Sequence, residues 1–252
     1  MKEIINKYWS KDADNYSKSV RRSMHSAKEK KGWQEIFTEV FGKEKLNVLD
    51  VGTGPVIIAF LLAELGHDVT GVDLSEEMLR NARENAAIFN IPVEFRHGDA
   101  ENLPFEDESF DAVVNRHVLW TLPNPERAIA EWRRVLKTGG KIVIVDGNWF
   151  LNPEFRSLNR RARGVLAMLL VLITERKDLR KSGSYCKVEK KLWSTNKKRP
   201  DADIEILENL DFKDIIVKEG INRRTYPFFE NLKRGYWGDT FLVRGVKNNN
   251  MW

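Results

Sequence analysis

Val48-Leu49-Asp50-Val51-Gly52-Thr53-Gly54-Pro55 reads as a short apolar strand running into a glycine turn, with an acid just before the first glycine. A second acid, Asp73, closes the next apolar run twenty-three residues after Asp50. In a β-α-β unit such glycines let the backbone approach a ligand, and an acid ending the second strand accepts hydrogen bonds from both ribose hydroxyls. The pair points to a nucleoside cofactor. A pyrophosphate is disfavoured, because a carboxylate here would repel the anion that a helix N-terminus attracts. The third glycine of the dinucleotide fingerprint is also missing, its place taken by Ile57. S-adenosylmethionine (SAM) has a sulfonium, an ammonium and no phosphate, so an acid at position 50 attracts it.

Outward from this turn, apolar periodicity predicts strands at 46–51, 68–72, 93–96, 110–115 and 141–146, alternating with helices at 56–65, 76–89 and 125–136. Such alternation predicts a parallel sheet with helices on both faces, and ligands beyond the carboxyl ends of its strands. Asp50, Asp73, Asp99, Asn115 and Asp146 each fall at or just past a predicted strand end. An acid after a strand is also a common helix cap or turn former, so each residue keeps that second reading.

Residues 1–44 read as a helical lid, with Trp33, Ile36, Phe37, Val40 and Phe41 at helical spacing. Residues 45–150 are expected to form the cofactor-binding core and 151–200 a basic helical insert that caps the substrate, and the family resemblance given below implies that 201–252 complete the sheet. A long helix is expected from 153 to about 182, carrying the apolar run 165–173 between arginine-rich flanks. Nine residues are too few to span a bilayer. The helix is expected to lie buried over a substrate cavity, the alternative being a membrane interface beneath basic anchors. Beyond it come a helix at 203–210 and strands at 213–218 and 240–246.

With 252 residues, 42% of them hydrophobic and 31% charged, the chain buries one sizeable core and is not disordered. The net charge of +5 is unevenly spread: residues 151–200 hold fourteen Lys or Arg against four Asp or Glu, leaving the remainder acidic. This basic stretch suits an anionic substrate, RNA or a membrane surface, or it is a solvated helical face. Cys186 is the only cysteine, which excludes an intramolecular disulfide, and the four histidines lack metal-ligand spacing, so no metal is expected. The first residues lack the apolar core of a secretion signal, and a cytoplasmic location is the expectation.

Five segments in order carry a family resemblance: Leu49 to Gly54, Val72-Asp73-Leu74-Ser75-Glu76-Glu77-Met78-Leu79, Gly98-Asp99-Ala100-Glu101-Asn102-Leu103-Pro104-Phe105, Phe110-Asp111-Ala112-Val113-Val114, and Arg134-Val135-Leu136-Lys137-Thr138-Gly139-Gly140. The chain resembles class I SAM-dependent methyltransferases, in the small-molecule group similar to the ubiquinone and menaquinone C-methyltransferases. The resemblance spans roughly residues 8–146. It implies a Rossmann-like α/β fold with a doubly wound, mostly parallel seven-stranded sheet and an antiparallel last strand. One departure stands out: such enzymes often have glycine near position 56, where this chain has Val56. A β-branched residue there is expected to fit the first helical turn and to narrow the backbone approach.

The resemblance also implies roles. Asp73 takes the ribose, Leu74 and Met78 sandwich the adenine, and Asp99 with Ala100 reads the adenine edge. Asp50 holds the methionine end indirectly, with room provided by Gly52, Thr53 and Gly54. Asn115 presents its carbonyl near the sulfonium, and Tyr16 closes over the methionine carboxylate. Met78 and Tyr16 could equally be packing residues.

Methyl transfer from SAM to yield S-adenosylhomocysteine (SAH) needs no acid for departure of the thioether, and needs a base only when the acceptor must lose a proton. His117 is the candidate base, or a residue that merely positions its loop. Trp120, Tyr226, Phe228, Phe229 and Trp237 could wall an acceptor cavity or be core, and Arg160, Arg161 or Arg163 could hold an anionic group. Cys186 is a remote candidate for reactivity. The leading expectation is a small-molecule acceptor. An RNA acceptor is the alternative, weakened because Asn115-Arg116-His117-Val118 lacks the Pro-Pro-aromatic sequence of enzymes that methylate planar amino groups. A SAM-binding protein without turnover is the third.

Overall fold

The computed structural model describes residues 1–149, 158–175, 192–234 and 239–248. Its seven strands are β1 (Asn47–Val51), β2 (Asp68–Asp73), β3 (Glu94–His97), β4 (Phe110–Arg116), β5 (Leu136–Gly147), β6 (Phe212–Lys218) and β7 (Thr240–Lys247). They form one sheet in the order β3-β2-β1-β4-β5-β7-β6. The pairings from β3 through β5 are parallel, and β7 runs antiparallel to both of its neighbours. The chain winds outward from β1 to β3, then returns to β4 on the other side of β1. That reversal opens a crevice at the carboxyl ends of β1 and β4, where Val51 stands level with both Val72 and Asn115.

Strands covered on both faces read as continuous apolar runs. Val113 and Val114 of β4 and 142–145 of β5 are accordingly fully buried. On one face the core is built with helices α1 (Lys2–Met24), α2 (Ala27–Phe41), α3 (Ile58–Glu64) and α4 (Glu76–Phe89), from Trp33, Phe37, Phe41 and Phe60 among others. On the other, α5 (Pro125–Val135) and α7 (Asp201–Asn209) supply Ile129, Trp132 and Leu207. In chain order α6 (Leu158–Glu175) comes between α5 and α7, and α8 (Ile221–Thr225) and α9 (Phe228–Arg234) precede the last strand.

The predicted lid is two helices, divided where Ser26 caps α2 by accepting from the Glu29 amide. Asn85 ties α1 to the glycine turn: its Nδ2 donates to Ser17 Oγ at 3.0 Å and to the Pro55 carbonyl at 2.9 Å. Arg21 Nε donates to Asn85 Oδ1 at 2.6 Å.

Two expectations are corrected. Helix α3 starts at Ile58 rather than 56, because Val56 has a φ of +72° and left-handed backbone cannot continue a right-handed helix. Helix α6 is not buried over a cavity: Leu158, Val165, Leu166, Leu169, Leu172 and Ile173 are 43–80% exposed, and Ala167 and Val171 face inward instead.

Candidate active site

A cavity of about 620 Å³ fills the crevice, floored by the β1, β2 and β4 ends and closed over by α1, Tyr226 and Arg234. At its floor the Gly52 and Thr53 amides both donate to the Val72 carbonyl, at 2.8 and 3.0 Å. Gly52 and Gly54 are left-handed, with φ of +66° and +55°. A Cβ on Gly52 would stand 2.4 Å from Val118 Cγ2, so the turn and the loop after β4 leave no room for a side chain. Asp73 joins this turn to α4, its Oδ2 accepting from the Gly54 amide and its Oδ1 from the Ser75 amide, both at 2.9 Å. Burial pushes its carboxyl pKa up, and these amides pull it back.

Asp50 lies behind the turn. Thr53 Oγ1 donates to its Oδ2 at 2.7 Å, and burial pushes its pKa up to about 7 despite that bond and the Ala59 amide. Neighbouring Asp73 adds to the rise. Val56 is fully buried in the cavity wall, and its positive φ corrects the expectation of an ordinary helical residue. Backbone strain of this kind costs on the order of 1–3 kcal/mol and persists where surrounding packing imposes it.

Leu74, Met78, Asp99 and Ala100 line the next part of the cavity. Trp132 Nε1 donates to the Ala100 carbonyl at 3.0 Å from outside the cavity, and the Met78 amide donates to Ser75 Oγ in the cavity wall, so both positions are fixed. Asp99 Oδ1 accepts from the Glu101 amide at 2.9 Å, while its Oδ2 pairs with Lys2 Nζ at 2.6 Å. Lys2 also pairs with Glu101 at 2.7 Å. Sequence reasoning missed Lys2, one lysine among many in a polar helix.

Two arginines also line the cavity. Arg116 Nη2 donates to Tyr226 Oη at 3.0 Å, and its guanidinium lies 5.2 Å from the Trp33 ring. The Arg234 guanidinium lies 3.7 Å from the Tyr226 ring. Nε of both arginines and Nε2 of His117 are buried without a hydrogen-bond partner among the described residues. His117 has a φ of +59°, donates its amide to the Val145 carbonyl, and sets its ring edge-on to Trp149 at 4.7 Å. Burial, with Arg116, Arg234 and Arg199 nearby, holds its pKa well below 6.5. Tyr16 reaches the glycine turn, its Cε1 being 3.5 Å from where a Gly54 Cβ would stand. Trp120 and Tyr226 line the wall. Arg116 had a visible signal, a cation ending an apolar strand, whereas Arg234 had none.

Other expected residues stand elsewhere. Asn115 does not line the cavity; its Nδ2 reaches the Val143 carbonyl at 3.4 Å within the sheet. Asp146, fully buried, also lies outside it. Its Oδ2 accepts from Arg199 Nη1 at 2.8 Å and from the Trp120 amide at 3.1 Å, and its Oδ1 from Trp149 Nε1 at 2.8 Å. Arg199 binds Asp203 through two further bonds of 2.7 and 2.8 Å. This triad therefore sets two of the cavity's tryptophans from behind. Phe228 and Phe229 are 69% and 71% exposed and wall nothing. Arg163 pairs with Asp239 at 2.8 Å, and neither it nor Arg161 reaches the cavity. The Arg160 side chain, Trp237 and Cys186 lie outside the described residues.

Two carboxylates and a glycine turn free of Lys and Arg suit a cationic nucleoside, and not a phosphate-bearing one. Residues 49–144 match the family described as "Methyltransferase domain". A demethylmenaquinone methyltransferase of Desulfitobacterium hafniense is 38% identical over 123 residues, covering 46% of this chain and 48% of that one. A phosphatidylethanolamine N-methyltransferase of Cereibacter sphaeroides is 43% identical over 101 residues, covering 39% and 49%. The chain spans about half the length of these curated relatives. Among solved structures, phosphoethanolamine N-methyltransferase 2 of Haemonchus contortus, in complex with SAM, superposes with a TM-score of 0.58 at 22% identity, over 85% of this chain and 52% of that one. The [4+2]-cyclase SpnF superposes with a TM-score of 0.56 at 17% identity, over 86% and 80%. A fold shared with a cyclase does not specify the reaction. Residues 49–144 therefore match a methyltransferase domain, and the sheet order and ordered motifs are similar to those of the class I SAM-dependent methyltransferases.

Proposed function

We propose that this chain transfers a methyl group from SAM to a small-molecule acceptor bearing an anionic group. The observation that carries the reading is one cavity lined both by Asp50, Asp73 and Asp99 and by the guanidinium groups of Arg116 and Arg234. On this reading Asp73 accepts from the ribose hydroxyls through the lone pairs its two amide donors leave free. Leu74 and Met78 flank the adenine, and Asp99, exchanging Lys2 for the ligand, reads its edge with the Ala100 amide. Gly52, Thr53 and Gly54 seat the methionine end, Asp50 becomes the negative charge behind them once a cationic ligand favours loss of its proton, and Tyr16 closes over it. Asn115 supports this arrangement from within the sheet rather than touching the ligand.

Bound SAM supplies an electrophilic methyl on a sulfonium that departs as a neutral thioether. The chain's part is alignment, which removes on the order of 7–11 kcal/mol from a bimolecular barrier. Trp120 and Tyr226 wall the acceptor, and Arg116 and Arg234 take its anionic group in place of the expected Arg160. His117 stays neutral at pH 7, the form a base requires. The burial and arginines that keep it so also make it a weak base, so it serves only an acceptor that gives up its proton readily. The names of the two curated relatives, one acting on a quinone precursor and one on a phospholipid, support a small-molecule acceptor without choosing it.

Methyl-labelled SAM incubated with the protein and a charge-fractionated metabolite extract tests the reading. Label is expected in anionic product, and is expected to be lost in Arg116→Met/Arg234→Met while SAH affinity persists. No labelled product in any fraction contradicts the activity, and label confined to neutral or cationic fractions contradicts the anionic acceptor.

A further inference from the structure

Helix α6 is amphipathic in the wrong sense for a globular surface. Leu158, Val165, Leu166, Leu169, Leu172 and Ile173 recur at spacings of three, four and seven along its outward stripe, each 43–80% exposed. Among the described side chains of this helix only Ala167 and Val171 are buried. Helix α9 packs against α6 and adds Phe228 and Phe229, the most exposed aromatics among the described residues. Eight large apolar side chains on two adjoining helices form a patch that water alone does not favour.

Charge selects the occupant. Residues 151–200 carry fourteen Lys or Arg against four Asp or Glu; setting aside the buried Arg199 and the paired Arg163 and Lys198, eleven cations remain in this segment, and no described helix is long and apolar enough to cross a membrane. Apolar side chains on one helical stripe with cations clustered in the same segment are the composition of a helix that lies in a lipid interface. We infer that the outer face of α6, with Phe228 and Phe229, docks on an anionic lipid bilayer, lying in its surface. Helix α9 also carries Arg234 into the cavity wall, so docking holds the cavity next to the bilayer. The inference does not depend on the proposed methyl transfer.

Flotation of the full chain with vesicles of phosphatidylglycerol and phosphatidylcholine, against phosphatidylcholine alone, tests it. Binding is expected to the anionic vesicles, to weaken with salt, and to be about tenfold or more weaker to the neutral ones. Leu169→Asp/Ile173→Asp and Phe228→Ser/Phe229→Ser are each expected to weaken binding about tenfold or more. Ile88→Asp, on the remote helix α4, is expected to bind as wild type does. Unchanged melting temperature and SAH affinity confirm that each variant is folded. A wild-type chain that ignores anionic vesicles, or aspartate variants that bind undiminished, overturns the inference. So does a dimer that Leu169→Asp/Ile173→Asp converts to monomer, since the face would then belong to a second copy.

Discussion

Replacing Asp50 by Asn is expected to stabilise the fold while weakening the cofactor site. In the folded chain the carboxyl holds its proton up to about 7, against an ordinary value of 3.8. Between those values the folded state binds more protons than the unfolded one, so this group's contribution to stability falls as pH rises. The three-unit gap is worth about 4 kcal/mol, absent below pH 3.8 and fully felt above pH 7. An amide keeps the geometry: its oxygen accepts from the Ala59 amide and its nitrogen meets Thr53 Oγ1, leaving one N–H unmatched at a cost of about 1–2 kcal/mol. The net gain at pH 8 is about 2–3 kcal/mol, a rise of roughly 4–12 °C in melting temperature for a chain of this size. Thermal melts of wild type and variant at pH 4.5 and pH 8 measure it, and the advantage should shrink toward the acid end. A variant that melts below wild type at pH 8, or a difference independent of pH, refutes the reasoning. Charge at this position would then be a stabilising feature rather than one kept for a cationic ligand.

Other perturbations test the surrounding structure. Gly52→Ala drives a Cβ to 2.4 Å from Val118 and strains a φ of +66°, so SAH affinity should drop about tenfold or more, with about 1–3 kcal/mol of stability lost. Calorimetry on Gly52→Ala/Val118→Ala should recover only the steric part. Arg199→Met leaves Asp146 and Asp203 buried without their counter-ion, a loss of about 3–5 kcal/mol visible in chemical denaturation. His117 should remain uncharged at pH 6 in an NMR titration, because its pKa is held well below 6.5. The unfolded chain binds that proton more readily, so this group's share of stability falls as pH drops below 6.5.

The central sheet was legible because covered parallel strands leave continuous apolar runs, and because glycines and acids punctuate their ends. Asp73 and Gly54 were legible for the same reason, since local spacing alone brings them together. What escaped depends on contacts distant in sequence. Asp146 looked like a site residue until Arg199, fifty-three residues later, neutralised it from behind. Lys2 reaches Asp99 across ninety-seven residues, and Arg234 enters the cavity from a short helix near the chain's end. Periodicity identified α6 as an apolar helix but carried no information about which side would be covered. Val56 escaped because its neighbours impose a backbone conformation that its residue type disfavours.

The central claim is that Asp73, at the rim of the sheet, holds the ribose of a phosphate-free nucleoside. Calorimetric titration of SAH into wild type and into Asp73→Ala tests it most directly. Two lost hydrogen bonds to a charged acceptor, at about 1.5–3 kcal/mol each, predict affinity at least about a hundredfold weaker in a variant that still folds. Equal affinity in both, or no SAH binding by the wild type, contradicts it.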